Sequence, residues 1–150
     1  MQEILKSFWD WAGLTAEAYA KNGLGIQNEK VEFYYPQFEQ MLKYAYEILQ
    51  KETLSIEEIE DILTILALDN EGERILDYLN EHVDIKTIQQ IVEVGLNHLQ
   101  PNARWQLAEL LYRRKPQNYK EYLVQLVNDD NQYVQKRAKN VMQYLNKDNL

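Results

Sequence analysis

Residues 122–145 read Tyr-Leu-Val-Gln-Leu-Val-Asn-Asp-Asp-Asn-Gln-Tyr-Val-Gln-Lys-Arg-Ala-Lys-Asn-Val-Met-Gln-Tyr-Leu, and their spacing decides the fold class. Tyr122, Leu123, Leu126 and Val127 recur at i, i+3 and i+4, the period of one helix face. Asp129-Asp130-Asn131 is a turn signal. Val134, Ala138, Val141, Met142 and Leu145 then resume the helical stripe. Two helices with one apolar face each must bury those faces against one another and against whatever precedes them.

Working back along the chain, the same pattern recurs. Asn118 with Glu121 begins the first of these two helices, and Pro116 stops the one before it. That earlier helix opens at Pro101, carries Ala103, Leu107, Leu110 and Leu111, and ends in Arg113-Arg114-Lys115, which suits the negative pole of the helix dipole. Asp84 caps a helix bearing Ile88, Ile91, Val92, Leu96 and Leu99, and Asn70 with Glu73 predicts a capping box ahead of Ile75, Leu76 and Leu79. Ser55 with Glu58 is a second capping box, leading a helix expected to turn Ile56, Ile59, Ile62, Leu63 and Leu66 inward. Pro36 is expected at the first position of a helix carrying Phe38, Met41, Leu42, Ala45, Ile48 and Leu49 and running to about Lys51.

The first 35 residues are less regular. A helix is expected near 2–12 and another near 15–22 ending at Gly23, followed by a loop in which Val31-Glu32-Phe33-Tyr34-Tyr35 is briefly extended. Gly23-Leu24-Gly25 lacks the strand and third glycine of a dinucleotide fingerprint and reads as a turn. No segment alternates as a strand. The expected architecture is all-α and one domain over 1–150, with an aromatic-rich N-terminal cap and loop over 1–35 and stacked helix pairs over 36–147.

Breaks near 68–71, 99–102 and 128–132 lie about thirty residues apart, the period of a helical repeat array. The unit quoted above resembles a HEAT repeat, in which a first helix ends in an Asp-bearing turn before a Val-Arg-x-x-Ala second helix. Asp129, Val134 and Ala138 fit that spacing, while Gln135 stands where Arg is expected. In the preceding unit Ala103-Arg104 holds the Val-Arg place and Leu107 the Ala place, and the unit around Asp69 to Leu79 matches in helix pattern only. The resemblance covers about residues 55–146 and implies a short right-handed α-solenoid of antiparallel helix pairs. Some HEAT-like proteins are enzymes, DNA glycosylases and bilin lyases among them, but the signature itself carries no activity.

Composition narrows the function classes. At 150 residues with 45% hydrophobic content the chain is long enough for one continuous core. It has no cysteine, which removes disulfides, thiolate nucleophiles and cysteine metal sites and agrees with a reducing, cytoplasmic location. The N-terminus lacks the basic and apolar regions of a signal peptide, and no apolar run approaches the ~18 residues that span a bilayer. The net charge of −8 disfavours nucleic-acid backbone and anionic lipid. That charge is unevenly spread: residues 52–84 hold eleven acids against Arg74 alone, whereas 104–139 hold eight bases against four acids.

Candidate chemistry is sparse. His82 and His98 lie sixteen residues apart, without the i, i+4 spacing of a helical metal site, and read as surface or helix-end imidazoles. Glu57, Glu58, Glu60, Asp61, Glu71 and Glu73 have a solvent-facing phase, which fits a binding surface better than an acid–base pair. Phe8, Trp9, Trp11, Tyr19, Phe33, Tyr34 and Tyr35 cluster before the repeats, where a solenoid needs its first apolar face closed. Tyr34 and Tyr35 are also candidates for an interface, since aromatic side chains dominate binding hot spots.

The sequence thus favours a non-catalytic protein-binding module, without metal or cofactor, that engages a basic partner through those six acids. An immunity or antitoxin type of inhibitor is one form of it. The alternatives are a nucleic-acid-binding or DNA-repair protein using Arg104, Arg113, Arg114, Lys115, Lys120, Lys136, Arg137 and Lys139 as a basic track, and a structural subunit that oligomerises head to tail.

Overall fold

A computed structural model describes residues 2–24 and 30–148. The turn expected at Gly23-Leu24-Gly25 runs past that boundary, so Gly25 and the loop through residue 29 lie outside the described residues.

Among the described residues the structure is all-helical, with helices α1 (Glu3–Ala12), α2 (Ala16–Asn22), α3 (Phe38–Leu49), α4 (Ile56–Leu68), α5 (Arg74–His82), α6 (Ile85–Gly95), α7 (Pro101–Arg114), α8 (Tyr119–Val127) and α9 (Gln132–Asp148). No strand occurs among them. One hydrophobic core runs from Leu5 on α1 to Leu145 on α9.

Local chemistry sets the boundaries. Gly13 ends α1 in the left-handed region at φ 71°, and its N–H donates to the carbonyls of Trp9 and Asp10. Thr15 Oγ1 accepts from the Ala18 N–H at 3.1 Å and starts α2. Residues 32–34, expected to be extended, instead form a 3-10 turn. It holds the Tyr19 hydroxyl against Glu32, 2.7 Å away, and is followed by a turn that puts Pro36 two residues before α3 rather than inside it.

Of the aromatic residues of the N-terminal segment, Phe8, Trp9, Tyr19 and Tyr35 are buried, whereas Phe33 and Tyr34 are exposed. Phe8 meets Trp9 and Tyr35 edge-on at 5.1 and 5.3 Å, and Trp9 meets Tyr19 at 5.5 Å. Such edge contacts add to the area that the rings bury.

The Ser55–Glu58 capping box forms as expected, with both reciprocal bonds near 3 Å. Ile56, however, points outward at 65% exposure, because at the first helical position it lies beyond the helices that cover the rest of the stripe. The α5 cap also differs. Glu73 takes a left-handed φ of 52° with no side-chain cap bond, and Asp69 Oδ2 reaches over to accept the Ile75 N–H at 2.8 Å. Asn70 is diverted to α4, donating to the Ala67 carbonyl at 2.9 Å. Leu99, expected on the buried face of α6, sits beyond that helix in an exposed turn.

Helix α7 is the centre of the molecule. It packs against α4, α5, α6, α8 and α9, and of its residues 103–111 only Glu109 escapes full burial. Gly95 gives α6 its close approach: a Cβ there would lie 2.4 Å from Leu107 Cδ1 and 2.8 Å from Leu63 Cδ2. Helices α7 and α9 run in the same direction, since Arg104 bonds Asp129 at their N-terminal ends and Tyr112 bonds Asp148 at their C-terminal ends.

Candidate functional site

The acidic residues do not form one surface. Glu57 is exposed on the first turn of α4, and Glu71 is exposed in the turn after it. Thirteen residues of helix at 1.5 Å each put about 20 Å between those ends. Glu58 is occupied by the capping box and by Lys51. Half-buried Glu73 serves as the left-handed joint before α5. Asp61, expected to face solvent, is 7% exposed and accepts the Tyr44 hydroxyl of α3 at 2.8 Å. It is no contact residue for a partner, because α3 packs over the face that the helical phase assigned to water.

Glu60 faces a second unexpected group. His98, read from sequence as a surface imidazole, is buried in the α6–α7 turn. Its Nδ1 accepts the Gln100 N–H at 3.1 Å and its Nε2 lies 3.2 Å from Glu60 Oε2. Nε2 therefore carries the proton of a neutral ring. Burial, and next the positive charge of Arg104, push its pKa down to about 4 despite the nearby carboxylate. Glu60 in turn is held above the usual carboxylate range by burial and then by Asp61. His82 is exposed at the end of α5, its ring tilted 46° to that of Tyr78 at 4.9 Å.

The basic segment is largely satisfied from within. Arg104 is buried, its Nε and Nη2 donating to the two Asp129 oxygens at 2.8 and 3.1 Å, so it offers nothing to a nucleic acid. Arg137 lies 4.3 Å over the Trp105 ring and pairs with Glu109 at 2.7 Å. Arg114 donates to the Leu79 carbonyl at 2.7 Å, completing the end of α5, and Arg113 pairs with Asp77 at 3.3 Å. Lys136 and Lys139 are exposed on α9. Among the described residues no group of three or more His, Cys, Asp or Glu side chains is placed to hold a metal ion, and no helix is long and apolar enough to cross a membrane.

Several concavities remain, two of them beside charged candidate residues. A polar groove of about 940 Å³ runs between α2, the α6–α7 turn and the α8–α9 turn, past Glu17, Lys21, Leu99 and Asp130. A smaller pocket of about 340 Å³ joins the 3-10 turn to the α4–α5 turn, lined by Glu32, Phe33, Phe38, Leu68, Asp69, Glu71, Gly72 and Arg74. Tyr34, next in the chain to Phe33, is 63% exposed. Tyr35 is 5% exposed and belongs to the core, its hydroxyl donating to the Ile4 carbonyl at 3.2 Å.

Asp69 is the unusual member of that pocket. It is 2% exposed, and Oδ1 has no hydrogen-bond partner while Oδ2 caps α5. Burial pushes its carboxyl up to about 6, against the opposing pull of the Ile75 N–H and Arg74. Sequence reasoning passed over both Asp69 and Phe33 as site residues. The pocket they share joins segments more than thirty residues apart, and the capping cue at Asn70 and Glu73 and the break near 68–71 marked the turn without the pocket.

Comparison with protein-family models, with curated proteins and with solved structures finds no match.

Proposed function

We propose that the chain is a non-catalytic protein-binding module that captures a basic partner electrostatically, built as a short HEAT-like solenoid of antiparallel helix pairs. In this architecture α3/α4, α6/α7 and α8/α9 are the pairs, in place of the α4/α5 pair that the break near 68–71 implies, α5 is an extra helix, and α4, α7 and α9 form one continuous row. The ion pair between Arg104 and Asp129 supports the stacking. Arg104 holds the Val-Arg place of one unit and Asp129 the turn of the next, so the bond crosses between units at the spacing the repeat pattern implies.

The observation that carries the function is the asymmetry of compensation. The arginines of the basic segment are spent on Asp129, Glu109, Asp77 and the end of α5, whereas Glu57 and Glu71 are exposed acids without an ion-pair partner among the described residues, in a chain of net charge −8. The outward field is therefore negative, and such fields speed encounter with a cationic partner. Inhibition of a basic toxin domain is a specific form of this function. Burial of Arg104 counts against the nucleic-acid alternative, which is left chiefly with the exposed Lys115, Lys120, Lys136 and Lys139.

Affinity capture from the native cell, with wild type and with Glu57→Lys/Glu71→Lys, tests the proposal. Wild type should retain a basic protein that the reversed variant loses. Equal capture by both, or capture abolished instead by Lys136→Glu/Lys139→Glu, is the result that overturns it.

A further inference from the structure

The pocket between the 3-10 turn and the α4–α5 turn combines three properties that fit one ligand group. It has apolar aromatic walls in Phe38 and in Phe33, 48% exposed at the rim. It has carboxylates in Glu32, Asp69 and Glu71, while its own cation, Arg74, is engaged by both oxygens of Glu39 at 2.9 and 3.3 Å. At its wall lies a buried acceptor without a partner, Asp69 Oδ1.

Gly72 lies directly beside that oxygen, which is closed to solvent, so an ammonium reaches it through a small shift of this glycine turn. A Cβ on residue 72 would stand 2.9 Å from Asp69 Oδ1, so any other side chain would crowd it. The backbone there does not take the left-handed conformation that glycine alone adopts readily, unlike Gly13 and Gly23, so the demand for glycine at 72 is one of space.

The geometry points to a recognition pocket for a lysine side chain of the basic partner, its methylene stem against Phe33 and Phe38 and its ammonium directed to Asp69 Oδ1. This rests on the partner-binding function proposed above. Lysine is favoured over arginine because Asp69 offers a single oxygen, Oδ2 being committed to the Ile75 N–H. A guanidinium fork needs two parallel acceptors on one carboxylate, whereas an ammonium is a point charge whose three donors can be shared among separate oxygens, such as those of Glu71 and Glu32. An ammonium between aromatic faces also gains cation–π attraction, as the Arg74 guanidinium already does 5.9 Å from the Phe38 ring.

The test uses the full chain and three probes: N-acetyl-lysine methylamide, its norleucine counterpart with the stem but no charge, and its arginine counterpart. Amide chemical shifts of Gly72 and Ile75 are followed by NMR during titration. The lysine probe should move both amides saturably, the norleucine probe should not, and the arginine probe should bind at least fivefold more weakly than lysine. Phe33→Ala, at an exposed position that leaves the fold intact, should weaken the lysine response at least fivefold. Gly72→Ala should abolish it, with a thermal melt to show that the variant is folded.

Equal response to norleucine, or a stronger one to arginine, overturns the inference, as does a lysine response unchanged in both variants or absent in wild type. If the lysine probe fails while Glu57→Lys/Glu71→Lys still abolishes capture, the pocket assignment is wrong and the binding function stands. If the probe binds as expected and capture ignores the charge reversal, the pocket stands as a lysine site and the electrostatic function is wrong.

Discussion

His98 and Asp69 are buried about equally but hold their protons in opposite ways, and the difference reaches the stability of the molecule. The His98 pKa, lowered to about 4, means that the unfolded chain takes up its proton first as pH falls. Its contribution is present above the ordinary histidine value near 6.5 and lost as pH falls toward 4. Asp69, raised to about 6, takes up its proton first in the folded chain, so its contribution is full below about 3.8 and lost as pH rises through 6. The two effects oppose one another over the same window. Asp69→Asn keeps an acceptor for the Ile75 N–H and removes the buried charge, so it should be more stable than wild type at pH 7.5 by about 1–3 kcal/mol. Between pH 6.5 and 4 the variant should lose more stability than wild type, because the His98 loss is no longer offset. Urea unfolding at pH 7.5, 5.5 and 4 measures this, and parallel curves for the two proteins would show that Asp69 does not hold its proton as described.

At the scale of elements, packing depends on small residues at helix contacts. Gly95 lets α6 sit on Leu63 of α4 and Leu107 of α7, and a methyl there would lie inside the contact distance of both side chains. Gly95→Ala, although it raises helix propensity, should therefore cost about 1–3 kcal/mol in thermal or denaturant unfolding. A stabilised variant would mean that α6 and α7 are farther apart. Ala138 on α9 is wholly buried beside Val134 and Val141, and Ala138→Asp should be among the most damaging single changes, leaving little folded protein by circular dichroism at 37 °C. The helices themselves were legible in the sequence because each needs only its own stripe and its caps: Ser55 and Asp84 cap as their residue types require. What was not legible depended on neighbours. Asp61 follows Ile59 by two residues and shares the phase of the acids around it, but α3, α6 and α7 all pack on α4, and Tyr44 supplies a partner that no periodicity in α4 encodes. The choice of Asp69 over Asn70 as the cap, and the pocket that follows from it, depends likewise on the path of the chain between α4 and α5.

For the whole molecule the question is where the charge of −8 is felt. An ion pair such as Arg104 with Asp129 contributes little to the distant field, and its worth lies in holding α7 against the α8–α9 turn. Asp129→Asn should cost about 1–3 kcal/mol, because Arg104 keeps the exposed Asp130 carboxylate and the His98 and Leu99 carbonyls but loses its buried partner, with little change in association rate for a partner bound elsewhere. Exposed acids behave in the opposite way: Glu57→Lys/Glu71→Lys should fold with near wild-type stability, since neither side chain has a structural partner among the described residues, yet it halves the net charge to −4. Long-range attraction acts on the rate of encounter and is screened over about 8–10 Å at physiological salt. With a captured partner in hand, stopped-flow association should therefore be fast for wild type at low salt and slow steeply as salt rises. The doubly reversed variant should associate at least tenfold more slowly at low salt, with a shallower salt dependence and a smaller change in dissociation rate. If the reversal acted mainly on dissociation, direct contact, such as that of Glu71 with the partner lysine proposed above, would outweigh the long-range field in capture. If Asp129→Asn slowed association as much as the surface reversal does, capture would depend on the packed α7–α9 unit rather than on the field.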